Sequence, residues 1–283
     1  MKGLCIFESQ YGNNPDWSYI AACDATDFVF IPNDHPLSNS DAANMAAKIK
    51  AFLTARNGKT ANIWIGTPGI TAYNAWSSYE ADDLTDFLQT VYDDLDPDEQ
   101  NKVAGAYMNQ ERIYGGMDYN NVLNGSQQGN KQIRIMNQIR NYVKSGKIHG
   151  TKFMWCPYYG HGSDAATIIK EIGHVADKVQ IFDYVILQPH TMFDPNASTG
   201  NLNGVKYSVS ANKVCYRDNV NVIPSKVSST QIGYEMEYAT RFSYSTAVFN
   251  DYKDTFSSCK NKPCLFYWEG NNATTFAEVN SWF

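Results

Sequence analysis

Two glutamates, two residues apart in one short segment, are the first sign of chemistry in this chain. In Gln231-Ile232-Gly233-Tyr234-Glu235-Met236-Glu237-Tyr238, apolar residues alternate with glycine and the two acids at a period of two, the pattern of a strand. That period puts Gly233, Glu235 and Glu237 on one face and the apolar set on the other. Carboxylates inside an otherwise apolar strand cost free energy unless something pairs with them or uses them. A third acid, Glu111, ends another strand-like run, Val103 to Glu111. Glycosidic-bond hydrolysis needs two such groups, one to protonate the leaving oxygen and one to attack or to activate water. Glu111, Glu237 and Glu235 are therefore the candidate catalytic carboxyls. A neighbouring arginine, Arg112 or Arg241, is a candidate partner for these acids.

The elements that must hold these acids can be read along the chain. Strand-like runs occur at Leu4 to Glu8, Asp27 to Pro32, Asn62 to Gly66 and Val103 to Glu111, then at Lys152 to Gly160, Phe182 to His190, Gln231 to Tyr238 and Pro263 to Gly270. Helical patterns lie between many of them. Ser40-Asp41 caps a helix over Ala42 to Ala55; Glu80 to Leu95 presents Leu84, Phe87, Leu88, Val91 and Leu95 on one face. Lys131 to Lys144, Ala165 to Ala176, Ser210 to Arg217 and Ser245 to Ser258 follow, and Thr274 to Phe283 reads as a closing helix or turn. Eight runs over 283 residues give about 35 residues per unit, enough for the roughly thirty that a βαβ crossover needs. The expected fold is α/β, a (β/α)8 barrel forming one domain over residues 1–283. A doubly wound open sheet is the runner-up, and no Gly-rich phosphate fingerprint after the first run supports it.

Barrel chemistry sits at the C-terminal ends of the strands. Glu8 stands there on the first, Asp34 and His35 after the second, Asn109 and Glu111 on the fourth, and Tyr158 and Tyr159 on the fifth. Gln188 and His190 end the sixth, Glu235 and Glu237 the seventh, and Trp268 and Glu269 the eighth. Acids, amides and aromatics gathered this way suit a sugar, so Glu8, Asp34, Asn109, Tyr158, Tyr159, Gln188, His190, Trp268 and Glu269 are the expected substrate-binding set. His161 in its glycine-framed loop is a weaker candidate. Trp64, Trp76, Trp155 and Trp268 are stacking candidates, with Trp155 the first to concede to the core; Tyr107 and Tyr234 share that ambiguity.

Composition narrows the classes of function. The net charge is −6 with no Lys/Arg cluster, which argues against nucleic acid and against anionic membrane as partners. No apolar run reaches the length of a membrane span, and Met1 to Glu8 enters a strand pattern with no visible signal peptide. The 19 Tyr, 14 Phe and 6 Trp suit stacking on sugar rings, so a secreted or cell-surface protein is expected, acting as a monomer. Cys259 and Cys264 could close a small disulfide loop. The five scattered histidines offer no metal set, so no metal and no cofactor is expected. Neither Gly-x-Ser-x-Gly nor a strand-end lysine is present, and Cys156 has no sequence-visible histidine partner.

The placement of the acids resembles the large clan of retaining barrel glycosidases, whose acid/base Glu ends strand four and whose nucleophile Glu ends strand seven. Asn109-Gln110-Glu111 and Glu235-Met236-Glu237 occupy those places, with Gln110 intervening where the clan has Asn directly before the acid. Met154-Trp155-Cys156-Pro157-Tyr158-Tyr159, Val185 to His190 and Gly233 to Glu237 are similar to motifs of an uncharacterised bacterial barrel family found in secreted polysaccharide-degrading proteins. The resemblance implies a glycosidase acting on a polysaccharide or glycan, with Glu111 as general acid/base and Glu237 as nucleophile, Glu235 being the alternative. Two other functions fit the same residues: a non-catalytic glycan-binding barrel, and a barrel enzyme whose acids abstract a proton from a non-sugar substrate.

Overall fold

A computed structural model describes residues 1–8, 16–70, 78–158, 165–190, 192–193, 201–202, 205–206, 230–270 and 273–283. Eight parallel strands close into a barrel: β1 Lys2–Phe7, β2 Asp27–Ile31, β3 Asn62–Gly66, β4 Val103–Met108, β5 Lys152–Trp155, β6 Tyr184–Leu187, β7 Gln231–Ala239 and β8 Cys264–Glu269. They follow one another around the barrel in chain order, and β8 closes it against β1 with Gly3 opposite Leu265. An antiparallel pair, Asn201–Leu202 with Val205–Lys206, lies outside the barrel sheet. Closure settles the choice against an open doubly wound sheet.

The outer layer contains α1 Asn39–Arg56, α2 Ala81–Asp93, α3 Gln128–Lys144, α4 Ala165–His174, α5 Ser245–Phe256 and α6 Ala273–Asn280. The stripe expected on α2 is buried as a set: Leu84, Phe87, Leu88 and Val91, with Leu95 just beyond. Each such side chain contributes about 1.5–3 kcal/mol on burial, which holds α2 to the barrel wall far more firmly than its surface ion pairs could. The tail resolves into α6, whose Phe276 and Val279 are buried. The start of α1 differs from the sequence reading. Ser38, not Ser40-Asp41, is the N-cap; its hydroxyl takes the Asp41 N–H while Asp41 Oδ2 accepts the Ser38 N–H at 2.7 Å. This reciprocal cap outcompetes a later start because it satisfies two orphan donors at once. The helix expected over Ser210 to Arg217 lies outside the described residues.

Two apolar layers result from strand alternation. Leu4, Phe28, Ile63, Val185 and Phe266 face the helices, while Cys5, Val29, Trp64, Tyr107, Met154, Ile186 and Leu265 fill the barrel. At the end where the strands begin, Arg56 is only 4% exposed and donates to the carbonyls of Ala21, Cys23, Ala25 and Thr60. One guanidinium thus satisfies carbonyls of the segment linking β1 to β2. The expected disulfide is not formed: Cys259 and Cys264 are not bonded to each other, and both lie buried in the helix-facing layer, where each serves as a small core residue.

Candidate active site

Three strands end sooner than their sequence runs, and this places the candidate residues on the loops just beyond. β4 stops at Met108, so Asn109, Gln110 and Glu111 follow it; β5 stops at Trp155 and β6 at Leu187. Pro157 and Pro189 carry no N–H to continue a ladder, which explains the last two endings. A single bridge between Tyr158 and Gln188 still ties the two loops together, and the Tyr158 N–H donates to the Glu111 carbonyl at 2.6 Å. The loops bearing Glu111, Tyr158 and Gln188 are therefore fixed to one another.

β7 carries its two acids into the barrel mouth as its alternation dictates. Glu235 pairs across with Leu265 and Glu237 with Tyr267 on β8. Glu237 is 0% exposed, yet its carboxylate is well served. The Tyr252 hydroxyl on α5 donates to Oε2 at 2.6 Å, and the Met192 N–H donates to the same oxygen at 3.1 Å. Among the described residues Oε1 accepts no hydrogen bond, and it lies 3.6 Å from His190 Nδ1. His190 takes a left-handed backbone, φ +59°, a conformation costing roughly 1–3 kcal/mol in a non-glycine residue. Its ring rests against Tyr158 and Phe193, with centroids 5.5 and 4.9 Å away.

Glu235 sits deeper, 2% exposed, with the Cys5 thiol donating to Oε1 at 3.8 Å. Burial, then the charges of Glu237 and Glu111, push its pKa well above the carboxylate range, so its protonated form is favoured. Burial likewise raises the Cys5 and Cys156 thiols, leaving both neutral and poor nucleophiles.

Glu111 occupies the other wall. One edge of the residue is exposed to the mouth, while protein crowds its carboxyl; that crowding is the largest cause raising its pKa. His190 opposes the rise, the charges of Glu237 and Asp34 add to it, and the Gln188 amide lowers it slightly. Gln188, 8% exposed, lies near both Glu111 and Glu235 and tempers the rise in each pKa. An open cleft of about 490 Å³ runs from Glu111 past Phe7, Asp34, Gly69, Asn109 and Tyr114. Glu111, Asn109, Asp34, Gln188, His190, Glu235 and Glu237 thus belong to one mouth, and Tyr158 packs on His190 at its side.

Other expected site residues are placed elsewhere. Trp268 is 0% exposed on the helix-facing side of β8, packed edge-on against Phe276 and Tyr19, because strand alternation turns it opposite to Tyr267. Glu8 pairs with Lys48 of α1 at 3.0 Å, both largely buried, so its charge is consumed in holding α1. Glu269 is held at the rim by Arg241 and by the Tyr267 hydroxyl, which makes Arg241 its partner rather than that of Glu235 or Glu237. Trp64 donates its Nε1–H to Asp27 Oδ1 at 3.0 Å, at the end of the barrel where β2 begins. Tyr234 faces the helices and receives the Trp282 Nε1–H, Tyr107 fills the barrel, and Trp155 lies in the core as expected. Tyr159, His161 and Trp76 lie outside the described residues. Tyr252 and the Met192 N–H went unread in the sequence, since neither has a fixed spacing from Glu237. Among the described residues no three His, Cys, Asp or Glu side chains gather to hold a metal, and no helix is long and apolar enough to cross a membrane.

Solved structures with the same architecture include a GH5-4 broad specificity endoglucanase from Clostridium longisporum. It has a TM-score of 0.53 and 10% identity over 97% of this chain and 86% of that one. ZgEngAGH5_4 in complex with a cellotriose has a TM-score of 0.52 and 12% identity, covering 96% of this chain and 88% of that one. At such identities the likeness is one of fold, the (β/α)8 barrel. No protein-family model and no curated protein matches the chain.

Proposed function

We propose that this chain is a glycoside hydrolase that cleaves a polysaccharide or glycan with retention of configuration, Glu111 acting as general acid/base and Glu237 as nucleophile. The observation that carries this reading is the contrast between two carboxyls at one mouth. Glu237 is buried with two donors fixed on Oε2 and Oε1 uncommitted. Glu111 faces an open cleft with its pKa raised, the condition for a group that must hold a proton and then give it up.

In this mechanism Glu111 protonates the glycosidic oxygen as the bond to the anomeric carbon breaks. Glu237 Oε1 forms an ester to that carbon from the opposite face. Water, losing its proton to Glu111, then attacks the same carbon and frees Glu237. Glu235, kept neutral, adds no second negative charge beside the nucleophile, and its role is positional. The same reading makes the chain one catalytic domain acting outside the cell as a monomer.

The test is incubation of the chain with a panel of polysaccharides, with new reducing ends counted and the first-formed anomer read by proton NMR. Reducing ends of retained configuration are expected. Inverted product would overturn the nucleophile role. Binding of a polysaccharide without any cleavage across the panel would favour the glycan-binding barrel instead.

A further inference from the structure

The cleft beside Glu111 has features that the two-carboxylate chemistry does not require. Asp34 is exposed in it, and among the described residues its carboxylate makes no ion pair and no hydrogen bond. Asn109 stands beside it, one N–H directed to the Pro32 carbonyl at 3.3 Å and the rest of its amide uncommitted. Both side chains rest on Gly69: a methyl group there would lie 2.3 Å from Asp34 Oδ1 and 3.1 Å from Asn109 Nδ2. Gly69 has no left-handed backbone, so its lack of a side chain serves this close approach rather than a turn. Among the described residues the cleft lining holds Asp34 and Glu111 and no Lys, Arg or His; the nearby Arg112 is turned to the Tyr114 ring, its Cζ 5.3 Å from the centroid.

We infer that Asp34, Asn109 and Gly69 form a subsite beside Glu111 that takes an uncharged sugar residue through a pair of adjacent hydroxyls and rejects uronic acids. The inference deepens the hydrolase reading and rests on the same cleft. An acceptor-only carboxylate next to an amide donor matches a vicinal diol, one hydroxyl donating to Asp34 and the other accepting from Asn109. A uronate would bring a third carboxylate beside Asp34 and Glu111 with no cation in the lining to offset it. Phe7 and Tyr114 add aromatic surface to the same lining.

Binding is measured by calorimetry in a Glu237→Gln background, so that turnover does not intrude. Cellohexaose, xylohexaose and mannohexaose are the neutral probes, hexagalacturonate the acidic one and the glucosamine hexamer the cationic one. At low salt at least one neutral hexaose is expected to bind about tenfold or more tightly than hexagalacturonate. Asp34→Asn should shrink that ratio about tenfold, and high salt should blunt the change. Gly69→Ala, which displaces Asp34 without touching Glu111, should weaken neutral binding about tenfold. The subsite is overturned if no neutral hexaose binds at millimolar concentration, if hexagalacturonate or the glucosamine hexamer binds best, or if Asp34→Asn leaves the ratio unmoved. A chain that binds as expected but never hydrolyses keeps the subsite and loses the hydrolase. A chain that hydrolyses with Asp34→Asn inert does the reverse.

Discussion

Replacing Tyr252 with Phe removes one hydroxyl and leaves the ring in place. That hydroxyl donates to Glu237 Oε2 at 2.6 Å and receives the Met192 N–H at 3.1 Å. The Met192 N–H keeps its second acceptor, Glu237 itself, also at 3.1 Å. The loss therefore falls on the carboxylate, which is 0% exposed. A hydrogen bond to a charged group contributes about 1.5–3 kcal/mol, and the short distance argues for the upper half of that range. Thermal and urea unfolding of Tyr252→Phe should show a loss of about 2–3 kcal/mol, with Tm falling by about 3–5 °C. If the hydroxyl also orients the attacking carboxylate, kcat on a cleavable glycan falls about tenfold to a hundredfold while KM stays nearly constant. A stability loss below about 0.5 kcal/mol, the level of an unremarkable surface change, together with unchanged kcat would refute the assigned hydrogen bond and its role.

Three further outcomes follow from the same geometry. Glu235 has a folded pKa raised above its unfolded value, so its stabilising share is fully present below the unfolded pKa and is lost as pH rises toward the folded one. Glu235→Gln should therefore match wild type in Tm at acid pH and exceed it at neutral and mildly alkaline pH; an equal Tm difference at every pH would contradict this. The alkaline limb of kcat/KM should report Glu111, and because the Asp34 charge helps raise that group, Asp34→Asn should move the limb to lower pH; a limb that stays or rises counts against it. A methyl group on Gly105 would lie 1.8 Å from the Lys152 carbonyl oxygen, with backbone that cannot step aside. Gly105→Ala should thus cost more than about 3 kcal/mol by urea unfolding, and a near-neutral result would place β4 and β5 differently.

The barrel and the line of acids were legible because they rest on alternation. Period two alone put Glu235 and Glu237 on the inner face of β7, and the spacing of Leu84, Phe87, Leu88 and Val91 alone marked the buried side of α2. Trp268 was misplaced because the run from Cys264 to Trp268 is apolar throughout, so no pattern tells inward from outward. Only the register, Trp268 opposite Tyr238 and Tyr267 opposite Glu237, turns the indole toward α6. Glu8 and Glu269 read as free strand-end acids because their partners, Lys48 and Arg241, lie 40 and 28 residues away along the chain. Arg56 drew no notice in the sequence, because three of its four carbonyl acceptors, those of Ala21, Cys23 and Ala25, lie in the distant chain between β1 and β2. Gly69 carries no sequence signal at all, since its significance is the room it leaves for Asp34 and Asn109.

The most direct measurement is kcat/KM for Glu111→Gln, Glu237→Gln and Glu235→Gln on a glycan cleaved by the wild-type chain, with Tm recorded for each. Loss of about a thousandfold or more is expected for the first two with folding intact, and Glu235→Gln should remain within about tenfold of wild type. Near wild-type turnover in Glu111→Gln or Glu237→Gln, or Glu235→Gln as the inactive variant, would contradict the assignment of the two catalytic carboxyls.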